Sequence, residues 1–164
     1  FADSRLLDRA GPPNWYVRSD KQTYLTSLLS GVIGQGPATT ASAFVPDLHH
    51  FRGSYGGKDV IPLWRDAEAQ TANITVGFVA ALKTVYGRAP SPEDTFAYAY
   101  AVHANPGYAK RYEEELQVPG PRLPVTKDKA LFDRGAALGE RRRAVRDADR
   151  HGRITALDAD RSAA

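Results

Sequence analysis

The sequence contains no cysteine and no methionine. Without cysteine there is no disulfide framework, no thiolate metal site and no thiol nucleophile, which fits a cytoplasmic protein. Without methionine, a chain that begins at Phe1 reads as a fragment or processed product of something larger. No apolar run approaches the roughly 18 residues needed to span a bilayer. The N-terminus lacks the basic-then-apolar pattern of a secretory signal. There is no G-x-x-x-x-G-K-[ST] phosphate loop, no G-x-G-x-x-G, no H-E-x-x-H and no G-x-S-x-G elbow. The glycines from Gly31 to Gly36 precede Pro37 and a Thr-rich strand rather than a helix, so they offer no helix N-terminus to a phosphate.

What is present is ordinary in bulk. The chain has 164 residues, 42% hydrophobic and 25% charged, which suits one soluble domain with a core. The net charge of +3 is unevenly placed. Residues 121–164 carry eleven Lys/Arg against seven Asp/Glu, while 67–120 carry four against six. That balance permits nucleic-acid binding without demanding it.

The first 66 residues read as strands. Trp15 to Ser19 is aromatic and β-branched, Ser19 to Gln22 is a tight turn, and Thr23 to Ser27 is a second strand, so the pair predicts a hairpin. Trp15 and Trp64 are expected in the core. Leu28 to Pro37 predicts a loop too apolar to be fully exposed. Thr39–Val45 and Val60–Trp64 are further strands, with Pro62 confining the last to an edge or a strand end.

From about Asn73 the pattern turns helical. Phe78, Val79, Leu82, Val85 and Tyr86 keep one apolar stripe between a Thr75 cap and Gly87. Ser91-Pro92-Glu93-Asp94 is a helix start, followed by Phe96, Tyr100 and His103 on one face. Asn105-Pro106 opens a segment expected to run to about Leu116. Val118 to Pro124 is extended, because its prolines exclude helix. Asp128 caps a last helix that should bury Leu131, Phe132 and Leu138. The fold class is therefore α+β, an N-terminal antiparallel or mixed sheet followed by a helical segment. The chain divides into a β-rich part (1–66), a helical part (73–150) and a tail (151–164).

Chemistry-bearing residues concentrate between Phe44 and Asp66. His49, His50, Arg52, Gly53, Ser54, Tyr55, Gly56, Gly57 and Lys58 form a basic, aromatic, glycine-rich stretch with no acid between Asp47 and Asp59. Such a surface suits phosphates and base edges. As a metal site it falls short: on an extended chain Asp47 and His49 share one side and His50 takes the other, and two ligands are too few. Glu113-Glu114-Glu115 points in three directions on a helix and reads as a solvated face. Arg142, Arg146 and Arg150 share a helix face, but Asp147 and Asp149 dilute its field.

These residues also carry a likeness. Tyr24-Leu25-Thr26, the run from Val45 to Lys58, and Val60 to Asp66 resemble the C-terminal specificity region of type ISP restriction-modification enzymes. Ser91 to Asp94 with Phe96-Ala97-Tyr98, Tyr100-Ala101-Val102 and Pro106-Gly107-Tyr108 extend the match, as does Pro119 to Pro124. The likeness covers roughly residues 5–139; the arginine-rich tail after Glu140 departs from it. Such enzymes join a nuclease, a translocating ATPase, an adenine-N6 methyltransferase and a target-recognition domain in one chain. The resemblance implies that this part reads DNA and that catalysis lies elsewhere. The Asn/Asp-Pro-Pro-Tyr/Phe methyltransferase loop is absent, since Gly11-Pro12-Pro13-Asn14 lacks both ends of it. No cofactor is expected here; S-adenosylmethionine and ATP belong to other domains of the parent.

The expected function is thus a DNA target-recognition domain, not an enzyme on its own. Its partners would be double-stranded DNA and the parent's methyltransferase domain, with no membrane. Phosphate contacts are expected from Arg18, Lys21, Arg52 and Lys58, and base readout from the loop His49, His50, Arg52, Ser54, Tyr55 and Lys58. Arg52 suits a guanine edge through its planar fork. The rival from another class is a structural docking module that never reads sequence. A third, a small hydrolase using Asp47 and His49, has the least support.

Overall fold

The computed structural model describes residues 14–29, 32–33, 36–46 and 59–144. Three short strands form an antiparallel sheet: β1 (Tyr24–Ser27), β2 (Thr40–Ser42) and β3 (Asp59–Pro62), in the order β2-β1-β3. Tyr24 lies opposite Ser42 and Pro62, Leu25 opposite Ala41 and Ile61, and Thr26 opposite Thr40 and Val60. Pro62 is the last residue of an edge strand, where a missing N–H costs no ladder bond.

Both faces of the sheet are covered. Leu25, Ala41 and Ile61 point inward and pack with Leu63, Trp64, Ile74, Phe96 and Tyr100. The alternate residues Tyr24 and Val60 point the other way, onto Val17 and Val45. Trp15 to Ser19 is not a strand, so the expected hairpin is absent: residues 14–17 are a turn. The following turn does close, with the Gln22 amide donating to Ser19 O at 3.0 Å.

Gln22 is the residue that ties this turn down. Its side chain is buried, donates from Nε2 to Val17 O and Trp64 O, and accepts at Oε1 from the Trp64 and Thr23 amides. It extends the β1–β3 pairing by one step beyond Leu63, whose amide donates to Thr23 O. A buried amide with all its donors and acceptors in use is a rigid joint.

The helices are α1 (Val76–Tyr86), α2 (Pro92–His103), α3 (Pro106–Arg111) and α4 (129–144), with a 3-10 turn at Glu115–Gln117. Thr75 holds the N-cap position of α1, but its hydroxyl makes no cap bond; the backbone carbonyl alone receives Phe78 and Val79. Gly87 ends the helix at φ 77°, a conformation that favours glycine. Ser91 caps α2 by accepting from the Asp94 amide, and Asn105 caps α3 by accepting from Gly107. The α3 segment stops at Arg111 rather than Leu116, and Leu116 is buried from the 3-10 turn instead. Asp128 Oδ1 accepts from Ala130 and Leu131 at the head of α4.

Seven of the twelve residues of α2 are buried, because it serves two neighbours. Phe96 and Tyr100 face the sheet, while Ala97 and Tyr98 face α4 through Phe132 and Ala136. The α2–α4 approach is set by glycine. A Cβ at Gly139 would lie 1.9 Å from Ala97 O, and one at Gly135 would lie 2.8 Å from the Tyr98 ring. Phe132 is buried as expected, but Leu131 is exposed, since the glycine stripe and not a leucine stripe defines the contact face.

The extended segment after the 3-10 turn has too many prolines to join a sheet. Its carbonyls are received by side chains. His103 Nε2 and the Tyr108 hydroxyl meet Arg122 O, the Tyr98 hydroxyl donates to Pro124 O, and the Tyr86 hydroxyl to Thr126 O. Positions 122, 124 and 126 alternate, as an extended chain requires. Among the described residues no helix is long and apolar enough to cross a membrane.

Candidate functional site

The outer face of the sheet carries the described part of the site. The 14–22 turn lies across it, held from below by Gln22 and by Trp64, whose indole Nε1 donates to Lys21 O at 3.2 Å. With its backbone pinned, the turn sends Arg18 and Lys21 into solvent, both exposed. The Arg18 guanidinium stands 5.4 Å from the Trp15 ring centre, a cation–π distance.

Trp15 is 61% exposed, Tyr16 74% and Phe44 44%. The expectation that both tryptophans are core therefore holds only for Trp64. Trp15 sits in a turn ahead of β1 and has no strand partner to bury it. Together with Arg18, Ser19, Asp20 and Phe44 it borders a groove of about 690 Å³, with Tyr24 among its walls. The Tyr24 hydroxyl donates to Asn14 O at 3.1 Å. Burial pushes the Tyr24 phenol above its ordinary value, and the Arg18 charge pulls the other way.

β2 ends opposite Tyr24 and β3 begins opposite Ser27, so the two edge strands run parallel to each other. After β2, Val45 packs on the outer face against Val17, Tyr24 and Val60. His49, His50, Arg52, Ser54, Tyr55 and Lys58 lie outside the described residues. Of the expected contact residues, the structure thus describes Arg18 and Lys21, on the same turn as Trp15 and Ser19.

Two titratable groups away from this face, His103 and Asp66, are tied into the fold by hydrogen bonds. His103 is buried at the end of α2, between Thr39 and Arg122 O. A carbonyl only accepts, so Nε2 carries the proton and Nδ1 receives the Thr39 hydroxyl. Burial lowers its pKa from 6.5 to about 4, with the Arg122 carbonyl opposing, so the ring is neutral. Asp66 is held below the ordinary carboxylate range by the Gln70 amide first, and by Thr71 and Ala69. Among the described residues no three His, Asp or Glu converge as metal ligands would.

Sequence reasoning missed Trp15 as a surface residue and Gln22 as a buried one. A signal for the first existed: Gly11-Pro12-Pro13 immediately before Asn14 already argued for turn over strand. Nothing local marked Gln22, because its partners at Trp64 are 42 residues away.

A family model described as the type ISP C-terminal specificity domain matches residues 1–146. A solved chain from a cryoEM structure of a DrdV–DNA complex is similar over 73% of this chain at 26% identity, with a TM-score of 0.57. That match spans 11% of the DrdV chain. No curated protein matches.

Proposed function

The chain belongs to the type ISP C-terminal specificity domain family, and from that premise we propose that it is the DNA target-recognition module of a type ISP restriction-modification and adenine-specific methyltransferase enzyme. In this reading it binds duplex DNA and presents the target to other domains, which supply methylation or cleavage. S-adenosylmethionine and ATP act in those domains.

The observation that carries the reading is the outer face of the sheet. There an exposed turn offers Arg18 and Lys21 beside exposed aromatic rings, and Val45, seven residues ahead of Arg52 in the sequence, packs on the same face. Similarity to a chain solved with DNA supports it. Arg18, Lys21 and Lys58 take phosphates, which position the protein, and the loop of His49, His50, Arg52, Ser54 and Tyr55 reads base edges.

The test is duplex binding over a salt series. Affinity should fall steeply with salt, and Lys58→Ala should reduce the slope by about 1. Arg52→Ala should cost about 1–3 kcal/mol on the preferred sequence and relax discrimination there. If both variants bind as tightly as the wild type at low salt, the loop assignment is wrong.

A second reading, docking without readout, draws on α1. Val76 is 84% exposed at its start and Val85 50% exposed at its end, with Lys83 the one charge in the helix. Exposed valines on a helix with so little charge suit contact with another domain of a larger polypeptide. Binding to the parent's methyltransferase domain in the absence of any DNA affinity would favour it.

A further inference from the structure

We propose that the groove bordered by Trp15, Arg18 and Phe44 takes a nucleobase that has left the duplex stack, with the Trp15 indole as its stacking platform. The proposal rests on the DNA-binding reading above and assigns a ligand to a part of the surface that reading leaves unused.

The argument begins with what an exposed ring can do. A solvated indole at 61% exposure is an unusual thing for a folded chain to hold. It is not there by slack packing: Gln22, Tyr24 and Trp64 all fix the turn that carries it. Arg18 lies over the ring and leaves a cationic group at the groove edge. Aromatic rings interleaved with arginine are how sequence-tolerant base stacking is built. Bases inside a duplex already have both faces stacked, so an indole on a groove wall stacks only on a base without a neighbour.

The dimensions and the polar groups agree. About 690 Å³ lies within the usual range for small-molecule sites and has room for one nucleotide. Asp20 adds an acceptor for an exocyclic amino group, and Arg18 and Lys21 a positive field for the attached phosphate. A protein segment is the alternative occupant. The pairing of cations with flat rings favours the base, because a nucleotide supplies both the phosphate and the π-face.

The experiment measures binding of the full chain to two duplexes of equal length, one fully paired and one carrying a single extrahelical base. Trp15 and Trp64 are the only tryptophans, and Trp64 is buried, so exposed indole emission reports Trp15. The wild type should prefer the extrahelical-base duplex by about five- to hundredfold, the range measured for single base–aromatic stacks. Its indole emission should be quenched on binding. Trp15→Ala should remove the preference while leaving affinity for the paired duplex in place, and Trp15→Phe should retain part of it. If the wild type binds both duplexes equally, or Trp15→Ala leaves the preference intact, the groove assignment fails and the DNA-binding reading survives. If the wild type binds neither duplex, both fail together. An unchanged thermal midpoint of Trp15→Ala confirms that the fold is not at issue; were that variant to unfold, Trp15→Phe and the wild-type quenching carry the test.

Discussion

The two faces of the small sheet use aromatic residues in opposite ways. On the inner side, Trp64, Phe96 and Tyr100 are buried, and beyond them Tyr98, Tyr86, Tyr108 and His103 give their ring donors to the carbonyls of one extended segment. Those four ring donors are all taken up within the chain. On the outer side, Trp15, Tyr16 and Phe44 keep large exposed areas beside Arg18 and Lys21. The difference separates structure from availability. A ring enclosed by partners holds the fold, and the Trp15 ring, exposed on a fixed turn, presents its surface outward.

The sharpest way to break the inner side is at the α2–α4 contact. Gly139→Ala would push a methyl into the Ala97 carbonyl, 1.9 Å away, and backbone cannot yield cheaply. A loss of about 3 kcal/mol or more is expected in urea unfolding. Gly135→Ala meets only the Tyr98 ring edge at 2.8 Å and should cost less, about 1–2 kcal/mol. Equal losses would mean that the helices separate freely and that the glycine contact does not set their spacing.

Acid should come next in effect. The unfolded chain protonates His103 near 6.5, whereas the folded chain resists until about 4. Between those values the unfolded state binds more protons, so stability declines as pH drops from 6.5 and the loss is complete below 4. It amounts to about 3 kcal/mol at most. His103→Gln, which keeps a donor near Arg122 O, should flatten that decline relative to the wild type. Parallel pH curves for the two proteins would remove His103 as the cause.

The outer side should respond weakly in stability and strongly in binding. Arg18→Ala and Lys21→Ala are solvent-exposed changes and should alter unfolding by no more than about 0.5 kcal/mol. Each should reduce the salt slope of duplex binding by about 1. A large stability loss with an unchanged slope would turn these residues into structure and erase the contrast between the faces.

Legibility followed the range of the interactions. The α2 start at Ser91-Pro92, the Asn105-Pro106 break, the Asp128 cap and the edge position of Pro62 were readable because each depends on residues within three or four positions. The Trp15–Ser19 hairpin arm was misread, since β-propensity describes fitness for a pleated, half-buried surface and no partner strand is there to supply one. Leu131 was misassigned because the helix face is chosen by closest approach at Gly135 and Gly139, not by side-chain size. The stretch from His49 to Lys58 was singled out by its composition alone, and it lies outside the described residues.

By itself the sequence determined the strands-then-helices order, the caps at Ser91, Asn105 and Asp128 and the α+β class, together with the family likeness, because all of these are written in local chemistry and motif spacing. Tertiary structure decided which aromatic residues are enclosed and which are presented. That choice depends on Gln22 reaching Trp64 and on carbonyls 122 to 126 collecting the inner ring donors. Both are contacts between segments far apart in the chain, and only the folded chain brings them together.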